Sequence, residues 1–558
     1  MRLFKWLTIP LLVSLVGCGQ SESMLSFSKG QVQQAPQSSK VTYYAAARFA
    51  EQAAFGPTPE LIAELQAKGF EQWIDEQFAL PASQIDWSAK ENEMRDRSNM
   101  NNSYWGWYRA QFPHLAVGAA DQLRVRVTWS LSQWIVVSDR RVNAPGVLEW
   151  MNLLQRVALS DYANILEQTS ISHAMGMYLD NQQNRPKSEA CPWCTPNENF
   201  ARELMQLFSI GIVELNQDGS VKRDASGRPI ETYTQRDVEE LARALTGWEN
   251  IQIESQRNKP QWDSNDWRNP MRASDWDAAH DWGAKRIMGN RLPSGQSPQK
   301  DLKAVVTMLM SHNNIAPFVS LRLIQNLVKS NPSPEYIRRV ADVFVNNGNG
   351  ARGDMKALVK AVLLDPEARR ADDPRYAQVG DGKIREPFLQ AVAVYRGLSC
   401  DRLPTNISGD ANLHIDQMPF NPETVFGFYA PTDTASGTSI LAPEQKLLNA
   451  QEFNHRLNYM NHMDWAPVMR DDEDGVQLSL SAAGCDVDAL IAAKAKSTEA
   501  FFDFLSARYF RGAMPSTLKL EMQRVNSELA NHNYLNELRK ATSLLQYALV
   551  SPYYGASR

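Results

Sequence analysis

The sequence predicts a mainly α-helical fold: a large multi-helix body with long surface loops and one small β-hairpin. Almost every periodic stretch repeats its apolar residues at i, i+3, i+4 and i+7, as in PELIAELQAKGFEQWIDEQF over residues 59–78. This spacing is typical of a helix that packs one face against a core. Strand patterns are few. The 558 residues are 43% hydrophobic and 22% charged, which is ordinary for a globular protein.

The first element in the chain is a predicted lipoprotein signal peptide, residues 1–18. Arg2 and Lys5 form a basic start, residues 7–16 form a short apolar run, and the letters LVGC that end at Cys18 resemble a bacterial lipobox. Cys18 is therefore the expected lipidation site. The Gln- and Ser-rich residues 19–40 are the expected flexible tether.

This leader predicts a lipid-anchored protein of the cell envelope, attached to a membrane through Cys18. Position 19 is Gly rather than the Asp that commonly retains lipoproteins at the inner membrane, so we expect the outer membrane, on the side facing the periplasm. No later apolar run reaches the roughly 18 residues that a membrane-spanning helix needs.

Helical patterns fill the rest of the chain, with a predicted helical domain over residues 41–460 and a C-terminal helical extension over 461–558. Three successive helix patterns in 501–555 echo three in 318–369. The echo could be an internal repeat or a chance likeness between two runs of helices. The exception to the helical pattern is VELNQDGSVKRDASGRPI, residues 213–230, a predicted hairpin with Asp218-Gly219 at its turn.

The segment 249–300 is a long polar loop that is unusually rich in tryptophan. Indoles among carboxylates and amides would suit a sugar-binding surface, and indoles also commonly pin a long loop to a core. We favour the second interpretation. The tryptophans of this segment and at its start are Trp248, Trp262, Trp267, Trp276 and Trp282.

Four cysteines remain besides Cys18. An exported compartment permits disulfides, and the natural pairing joins Cys191 to Cys194 and Cys400 to Cys485, although the sequence alone allows three connectivities. A Cys-x-x-Cys pair before a helix could also be a redox site or half of a zinc site. We favour a disulfide that stiffens the loop, since no apolar strand precedes the pair and no second ligand pair is present.

The helix after these cysteines is predicted from its capping pattern. Thr195 is the expected N-cap, Pro196 the first helical residue and Glu198 the third, in the manner of a capping box. Gly211 is the expected residue after the helix end.

Glu203 is the residue of interest in this helix. It lies on the shoulder of the apolar stripe, with Asn199 and Gln206 nearby on the same side, so amide, carboxylate and amide could line a cleft. Glu198 and Arg202, four residues apart, are expected to form a surface ion pair instead.

Several long segments, in order, resemble the bacterial family catalogued as domain of unknown function 1800, over about residues 41–460. They include MYLDNQQNR, PNENFARELMQLFSIG, YTQRDVEELARALTGW and HDWGAKRIMG. The resemblance implies an exported, mainly helical protein. It also implies an exported partner with a fold like that of sulfatases and alkaline phosphatases, whose genes often lie beside those of this family. It brings no characterised reaction.

Eleven positions match the family's motifs, and two segments depart from them. The segment PKSEACPWCT stands where the family has a short loop without cysteines, and FNPETVFGFYAP (420–431) stands where the family has FxPPNVxGWPGG. The matching positions are Asp180, Asn181, Asn184, Asn197, Glu198, Arg202, Glu203, Asp237, Trp248, His280 and Asp281.

One functional hypothesis is a metal-assisted hydrolase with Glu203, His280 and Asp281 as catalytic residues. Carboxylate oxygens with a single imidazole suit Ca²⁺, Mg²⁺ or Mn²⁺, and the same groups could act as general acid and base. Each residue also has a structural explanation: Asp180 and Asn181 could cap a helix, and His280-Asp281 could anchor a loop to the preceding helix.

The hypothesis we favour is a helical scaffold or binding protein for an exported partner or a polysaccharide. A binding face would turn its indoles outward, whereas an active site would place His280 at the floor of a pocket. The net charge of −5 gives no basic surface for nucleic acid. The candidate binding residues are Asp180, Asn181, Asn184, Asn199, Trp248, Trp276 and Trp282.

Overall fold

The computed structural model describes residues 40–91, 102–254, 265–402, 415–456, 483–532 and 537–557. The predicted signal peptide with Cys18, the tether up to residue 39, and Trp262 lie outside these residues. So does the proposed domain boundary at residue 460. The described residues all belong to one compact unit.

Helices make up most of the described structure, which confirms the mainly α fold. In the first half of the chain they are α1 (Tyr43–Ala53), α2 (Pro59–Lys68), α3 (Phe70–Ala79), α4 (Asn102–Gly118), α5 (Gln122–Ser132), α6 (Ala144–Val157), α7 (Tyr162–Ser170), α8 (His173–Tyr178), α9 (Asn199–Gln206) and α10 (Gln235–Ala244). In the second half they are α11 (Pro298–Ser311), α12 (Ile315–Leu327), α13 (Pro334–Val345), α14 (Met355–Leu364), α15 (Pro366–Arg369), α16 (Pro387–Gly397), α17 (Val487–Lys496), α18 (Thr498–Tyr509), α19 (Ser516–Ala530) and α20 (Glu537–Leu549).

Many of these helices begin where a short polar side chain can accept a backbone hydrogen bond. Thr58 Oγ1 accepts from Leu61 N at 3.2 Å, and Pro59 follows it as the first helical residue. Thr234 and Asp237 form a capping box at the start of α10. These starts could be predicted because the capping group lies within three residues of the helix.

The start of α9 was predicted wrongly. This helix begins at Asn199 rather than after Thr195. The amide of Asn184 accepts a hydrogen bond from Asn197 N at 2.7 Å and donates one to Asn197 O at 3.1 Å, which engages the backbone that the first helical turn would need. The predicted end is also wrong, because α9 ends at Gln206 with Leu207 as its C-cap. Gly211 ends the turn that follows: its φ is +72° and its N donates to Met205 O.

The predicted hairpin is present as two linked tight turns. Bridges join Val213 to Glu231, Leu215 to Val221 and Arg223 to Pro229. Gly219, at the predicted turn, and Gly227, at a second one, both have a φ of +78°.

Among the described residues, named strands form three two-stranded antiparallel ladders. The first pairs Trp248 with Ala273 and Glu249 with Arg272, and the third pairs Lys383 with Ser557 and Ile384 with Ala556. The last ladder ties the end of the chain to the body. The strands are β1 (Trp248–Glu249), β2 (Arg272–Ala273), β3 (Lys285–Ile287), β4 (Asn290–Leu292), β5 (Lys383–Ile384) and β6 (Ala556–Ser557).

Helix α5 runs through the core rather than along its surface. Its sequence predicts one buried face, yet Arg126 is also buried. Burial is possible because Arg126 Nη2 donates to Asn326 O at 2.6 Å and the guanidinium lies over the Phe55 ring. Trp129 of the same helix packs on Phe388 with ring centroids 4.2 Å apart.

The two segments with similar helix patterns each contain three successive helices. Residues 318–369 include most of α12, then α13 and α14, with the four-residue α15 as a fourth helix at the end, and residues 501–555 include most of α18, then α19 and α20. Whether they are a true repeat stays a prediction. None of the helices in the described ranges is both long enough and apolar enough to cross a membrane.

Candidate functional site

The candidate site begins at the turn that follows α8. Asp180 has a φ of +57°, a left-handed conformation that Asp tolerates better than most residues, and Asn181 N closes the helix end by donating to Gly176 O. The Asp180 carboxylate accepts from Arg141 Nη2 at 2.6 Å and from Asn199 Nδ2 at 3.0 Å. The turn is therefore fastened to the start of α9.

Asn184 joins this turn to two further parts of the chain. Its side chain pairs with Asn197, and its backbone O accepts from Gly247 N at 3.0 Å. The neighbouring Gln183 N donates to Trp248 O at 2.7 Å. The turn, the loop before α9 and the segment after α10 consequently form one connected unit.

Glu203 lies one helical turn after Asn199. Its Oε2 atom is buried and accepts no hydrogen bond from any residue that the structure describes. Burial raises the pKa of this carboxyl, and the nearby Arg202 lowers it only in part. Burial also raises the pKa of Tyr233 to about 12, and the charge of Glu203 adds to that shift.

Another buried polar atom is orphaned in this region. The side chain of Asn181 is almost fully buried, and its Nδ2 has no acceptor among the described residues.

The predicted ion pair between Glu198 and Arg202 is confirmed, with Oε2 and Nη2 2.8 Å apart.

His280 is held by a hydrogen bond from one of its ring nitrogens. Nδ1 lies 2.9 Å from the carbonyl oxygen of Thr246, which can only accept, so this nitrogen carries a proton. Nε2 lies 3.3 Å from Asp301 Oδ2 but makes no hydrogen bond with any described residue. The ring is buried, with its edge against Trp282.

Asp281 is held by the helix that precedes its loop. Its two carboxylate oxygens accept from Nε and Nη2 of Arg243 at 2.7 and 3.0 Å. Burial would raise the pKa of this carboxyl, but the hydrogen bonds from Arg243 and from Gly283 N outweigh it and lower the pKa. His280 and Asp281 therefore anchor the loop to α10, as the structural explanation of these two residues anticipates.

Asp301 is the centre of a buried polar network that the sequence analysis missed. Lys285 Nζ donates to Oδ2 at 2.5 Å, Gln296 Nε2 donates to Oδ1 at 2.6 Å, and His280 lies beside Oδ2. Burial opposes ionisation here, but the contacts with His280 and Lys285 lower the pKa of the Asp301 carboxyl overall. No short motif marks this cluster, because Lys285 and Asp301 are 16 positions apart.

The tryptophans divide into two groups. Trp248 and Trp267 are buried and pin the loop, as favoured from the sequence, whereas Trp276 and Trp282 are 38% and 41% exposed. The guanidinium of Arg185 lies 4.8 Å from the centre of the Trp276 ring. Trp282 is tied to the residue after Trp276, since its Nε1 donates to Asp277 O. We call Arg185, Trp276 and Trp282 together the indole face.

Trp282 of the indole face is fixed in direction, since its Nε1 donates to Asp277 O at 2.7 Å. Carboxylates lie beside the other members of the face. Glu249 Oε1 is 3.8 Å from Arg185 Nη2, and the Asp275 carboxylate lies near Arg272 and is mostly exposed. Carboxylates that can accept hydrogen bonds therefore lie close to Arg185 and Trp276.

Both predicted disulfides are present, Cys191–Cys194 and Cys400–Cys485. The first closes a small loop in the segment between Arg185 and Asn197, and the exposed Trp193 lies at its tip. This agrees with a cysteine pair that stiffens a loop.

One group of three in the described ranges could hold a metal ion, and the sequence analysis missed it. It consists of Asp416, Glu452 and His455, and His455 Nδ1 lies 2.9 Å from Asp416 Oδ1. Glu452 is already engaged: Oε1 accepts from Arg456 Nε at 2.9 Å and Oε2 from Asp416 N at 2.7 Å. A guanidinium on a ligand carboxylate opposes a cation, so we interpret the group as a hydrogen-bonded cluster.

Most of the sequence-predicted residues belong to one connected region. Asp180 contacts Asn199, Asn184 contacts Asn181, and Gly247 joins the Asn184 backbone to the neighbourhood of His280. Glu203 and His280 have separate sets of polar neighbours. Their shared catalytic role stays a prediction.

A family model described as "Protein of unknown function (DUF1800)" matches residues 48–556. The chain belongs to the DUF1800 family. The match spans every described residue of the candidate site, and it also covers most of the segment 461–558 that the sequence analysis set apart as an extension. Among curated proteins and solved structures, nothing matches this DUF1800 protein.

Proposed function

We propose that this DUF1800 protein is a lipid-anchored binding protein of the cell envelope that holds a polysaccharide on its indole face. The observation that carries the proposal is the outward exposure of Trp276 and Trp282, while Trp248 and Trp267 of the same region are buried. Exposed indoles lose the free energy that burial would bring, and aromatic side chains on a surface are characteristic of binding sites.

The geometry of the indole face supports a rigid binding platform. Trp282 is fixed by its hydrogen bond to Asp277 O, and Trp276 by the guanidinium of Arg185. Side chains that are ordered before binding lose less conformational entropy on binding. The nearby carboxylates of Glu249 and Asp275 can accept hydrogen bonds from sugar hydroxyls.

A metal-assisted hydrolase built on Glu203, His280 and Asp281 has less support. Both ring nitrogens of His280 lie against oxygen atoms of the protein, and both oxygens of Asp281 accept from Arg243. Glu203 alone keeps a buried oxygen without a donor among the described residues.

The test of the indole face uses the full-length protein and its co-sedimentation with isolated peptidoglycan sacculi, beside affinity electrophoresis in soluble polysaccharides. The Trp276→Ala/Trp282→Ala variant should bind at least about tenfold more weakly, a loss of about 1.4 kcal/mol. Phe426→Ala removes a comparably exposed aromatic side chain elsewhere and should bind normally. Equal binding by the double variant, or no binding by the parent protein, would contradict the proposal.

Lipid attachment and a protein partner are tested separately. Cys18→Ser should move the protein from the membrane to the soluble fraction if Cys18 carries the anchor, and an unchanged membrane fraction refutes that assignment. Co-purification of a sulfatase- or phosphatase-like exported protein from detergent extracts would support the partner that the family resemblance implies.

A further inference from the structure

A pocket lies where α1 meets the C-terminal segment of the described chain. It has a volume of about 340 Å³, within the range of small-molecule sites. Its walls come from α1, from the residue after β5, from the end of α18 and from the C-terminal tail. The residues that matter to the argument are Tyr44, Glu51, Arg385, Arg511, Ala513 and Tyr553.

Among the described residues that line this pocket, two are cationic and one is a carboxylate. Arg385 Nη2 donates to Glu51 Oε1 at 3.0 Å, and Arg511 donates to the same carboxylate through Nε at 3.1 Å and Nη2 at 2.5 Å. Two guanidinium groups, both more than nine-tenths buried, therefore share one carboxylate. An excess of buried charge favours a counter-ion in the space that it faces.

A second cavity shares Glu51 and Arg385 with this pocket and adds to this excess. Its volume is about 20 Å³, enough for one water molecule, and Arg126 and Lys383 also line it. Nε and Nη1 of Arg126 are buried and have no acceptor among the described residues. A lysine and an arginine thus lie behind the shared carboxylate.

Carboxylates near the second cavity do not cancel this charge. Glu386 accepts from Lys383 Nζ at 2.6 Å, and Glu444 accepts from Ile384 N at 3.0 Å. Counted over the two cavities and these neighbours in the described chain, four cations face three carboxylates. The four cations are Arg126, Lys383, Arg385 and Arg511.

The remaining wall of the larger pocket is aromatic and apolar. Tyr44, Tyr509, Phe510 and Tyr553 contribute rings, and three prolines complete the lining. Tyr44 OH accepts from Arg511 Nη1 at 3.2 Å, so one ring is fixed beside the guanidinium. Rings next to buried guanidinium groups suit a ligand with a flat or ring-shaped body and an anionic group.

We propose that this pocket, which we call the anion pocket, binds a monosaccharide-sized organic anion. The carboxylate or phosphate of the ligand would lie against Arg385 and Arg511, since guanidinium groups match both anions in geometry. The ring of the ligand would pack on Tyr44 and Tyr553. This site is independent of the indole face and has a different chemistry.

The test is isothermal titration calorimetry of the full-length protein with four probes: D-glucuronate, phenyl phosphate, inorganic phosphate and D-glucose. The two ring-bearing anions should bind at least tenfold more tightly than neutral D-glucose, and inorganic phosphate should bind more weakly than phenyl phosphate. The relative strength of D-glucuronate and phenyl phosphate distinguishes a carboxylate ligand from a phosphate ligand.

Two variants locate the binding. Arg385→Gln should weaken it at least tenfold. Ala513→Trp places a large side chain at an exposed position of the wall and should abolish binding without removing any polar contact, and Ala530→Trp on exposed α19 is the matched control. The proposal is overturned if none of the anions binds the parent protein, or if Ala513→Trp with an unchanged melting temperature binds as the parent does.

Discussion

The side chain of Asn184 pairs with the backbone of Asn197 through both of its polar atoms, with Oδ1 2.7 Å from Asn197 N and Nδ2 3.1 Å from Asn197 O. The side-chain amide offers the backbone of Asn197 one donor and one acceptor, as the backbone of a partner residue does in a β-bridge. It closes the segment that carries the Cys191–Cys194 disulfide, so the loop is held at its base by Asn184 and near its tip by the disulfide.

This pairing predicts a marked effect of Asn184→Ala. The change removes the two buried hydrogen bonds with Asn197 and a longer one to Asn181 Oδ1, and we expect the free energy of unfolding to fall by about 2 kcal/mol in denaturant titrations. Asn216→Ala, which removes an exposed amide contact with Ser220, should cost less than about 0.5 kcal/mol. Equal costs in the two variants would contradict the assigned role of Asn184.

The buried pair Lys285–Asp301 predicts a larger loss. Asp301→Asn leaves the Lys285 ammonium buried beside a neutral group, and such changes cost about 3–5 kcal/mol. The control is Glu167→Gln, which breaks an exposed pair with Lys303 and should cost about 0.5 kcal/mol or less. Replacing both members, Lys285→Met with Asp301→Leu, should recover part of the lost stability; no recovery would show that the pair itself is not the cause.

His173 predicts a loss of stability in mild acid. Its Nε2 accepts from Ile251 N at 3.0 Å, and burial lowers the pKa of the imidazole to about 4. The unfolded chain takes up a proton near pH 6.5 and the folded chain near pH 4. The contribution of neutral His173 to the free energy of unfolding is therefore complete above pH 6.5. It declines by about 3 kcal/mol as the pH falls to 4.

The measurement is the unfolding free energy from pH 7 to pH 4. His173→Gln has no imidazole to titrate at this position. Between pH 7 and pH 4 its free energy of unfolding should therefore fall less than that of the parent, by about 3 kcal/mol. His114, whose pKa is also lowered to about 4 by burial and by Arg402, should give a similar change independently. Parallel profiles for parent and His173→Gln would rule out this explanation.

Glu203 predicts the opposite dependence on pH. Its pKa is raised in the folded protein, so its contribution is fully favourable below the pKa of the unfolded chain and is lost as the pH rises through the folded value. Glu203→Gln should therefore raise the melting temperature at pH 7 and leave it nearly unchanged at pH 4. Glu239→Gln, at an exposed position of α10, should change neither.

The two disulfides predict unequal losses. In the chain-entropy account, a link across 85 residues contributes about 4.5 kcal/mol and a link across three residues about 2 kcal/mol. Replacing Cys400 and Cys485 by Ser should therefore lower the melting temperature more than replacing Cys191 and Cys194. A greater effect from the smaller loop would mean that the Cys191–Cys194 link stabilises the native loop itself.

The helices and the hairpin could be predicted because their signals are local. Apolar spacing and capping groups lie within a few residues of the element they specify, as for Thr58 and α2. The start of α9 could not be predicted in this way. The residue that displaces it, Asn184, is 13 positions before its contact at Asn197.

The candidate site was predicted only in part, because some of its contacts join residues that are far apart in the sequence. Asp180, Asn184 and Asn199 do lie in one region, whereas His280 contacts Asp301, a residue that no motif connects to it. The exposure of Trp276 and the burial of Trp248 also depend on how the loop folds back. Composition alone treats these two indoles alike.

The contacts of Glu51 have a consequence for the order in which the chain acquires its structure. Its two arginine partners follow 334 and 460 residues later. During synthesis, α1 therefore emerges long before either partner exists, and the Glu51 carboxylate has neither guanidinium beside it until Arg385 has been made. Contacts between such distant positions form slowly. A chain that ends before Arg511 would keep only Arg385 of these two partners, so the link between α1 and the segment after α18 would lack this ion pair.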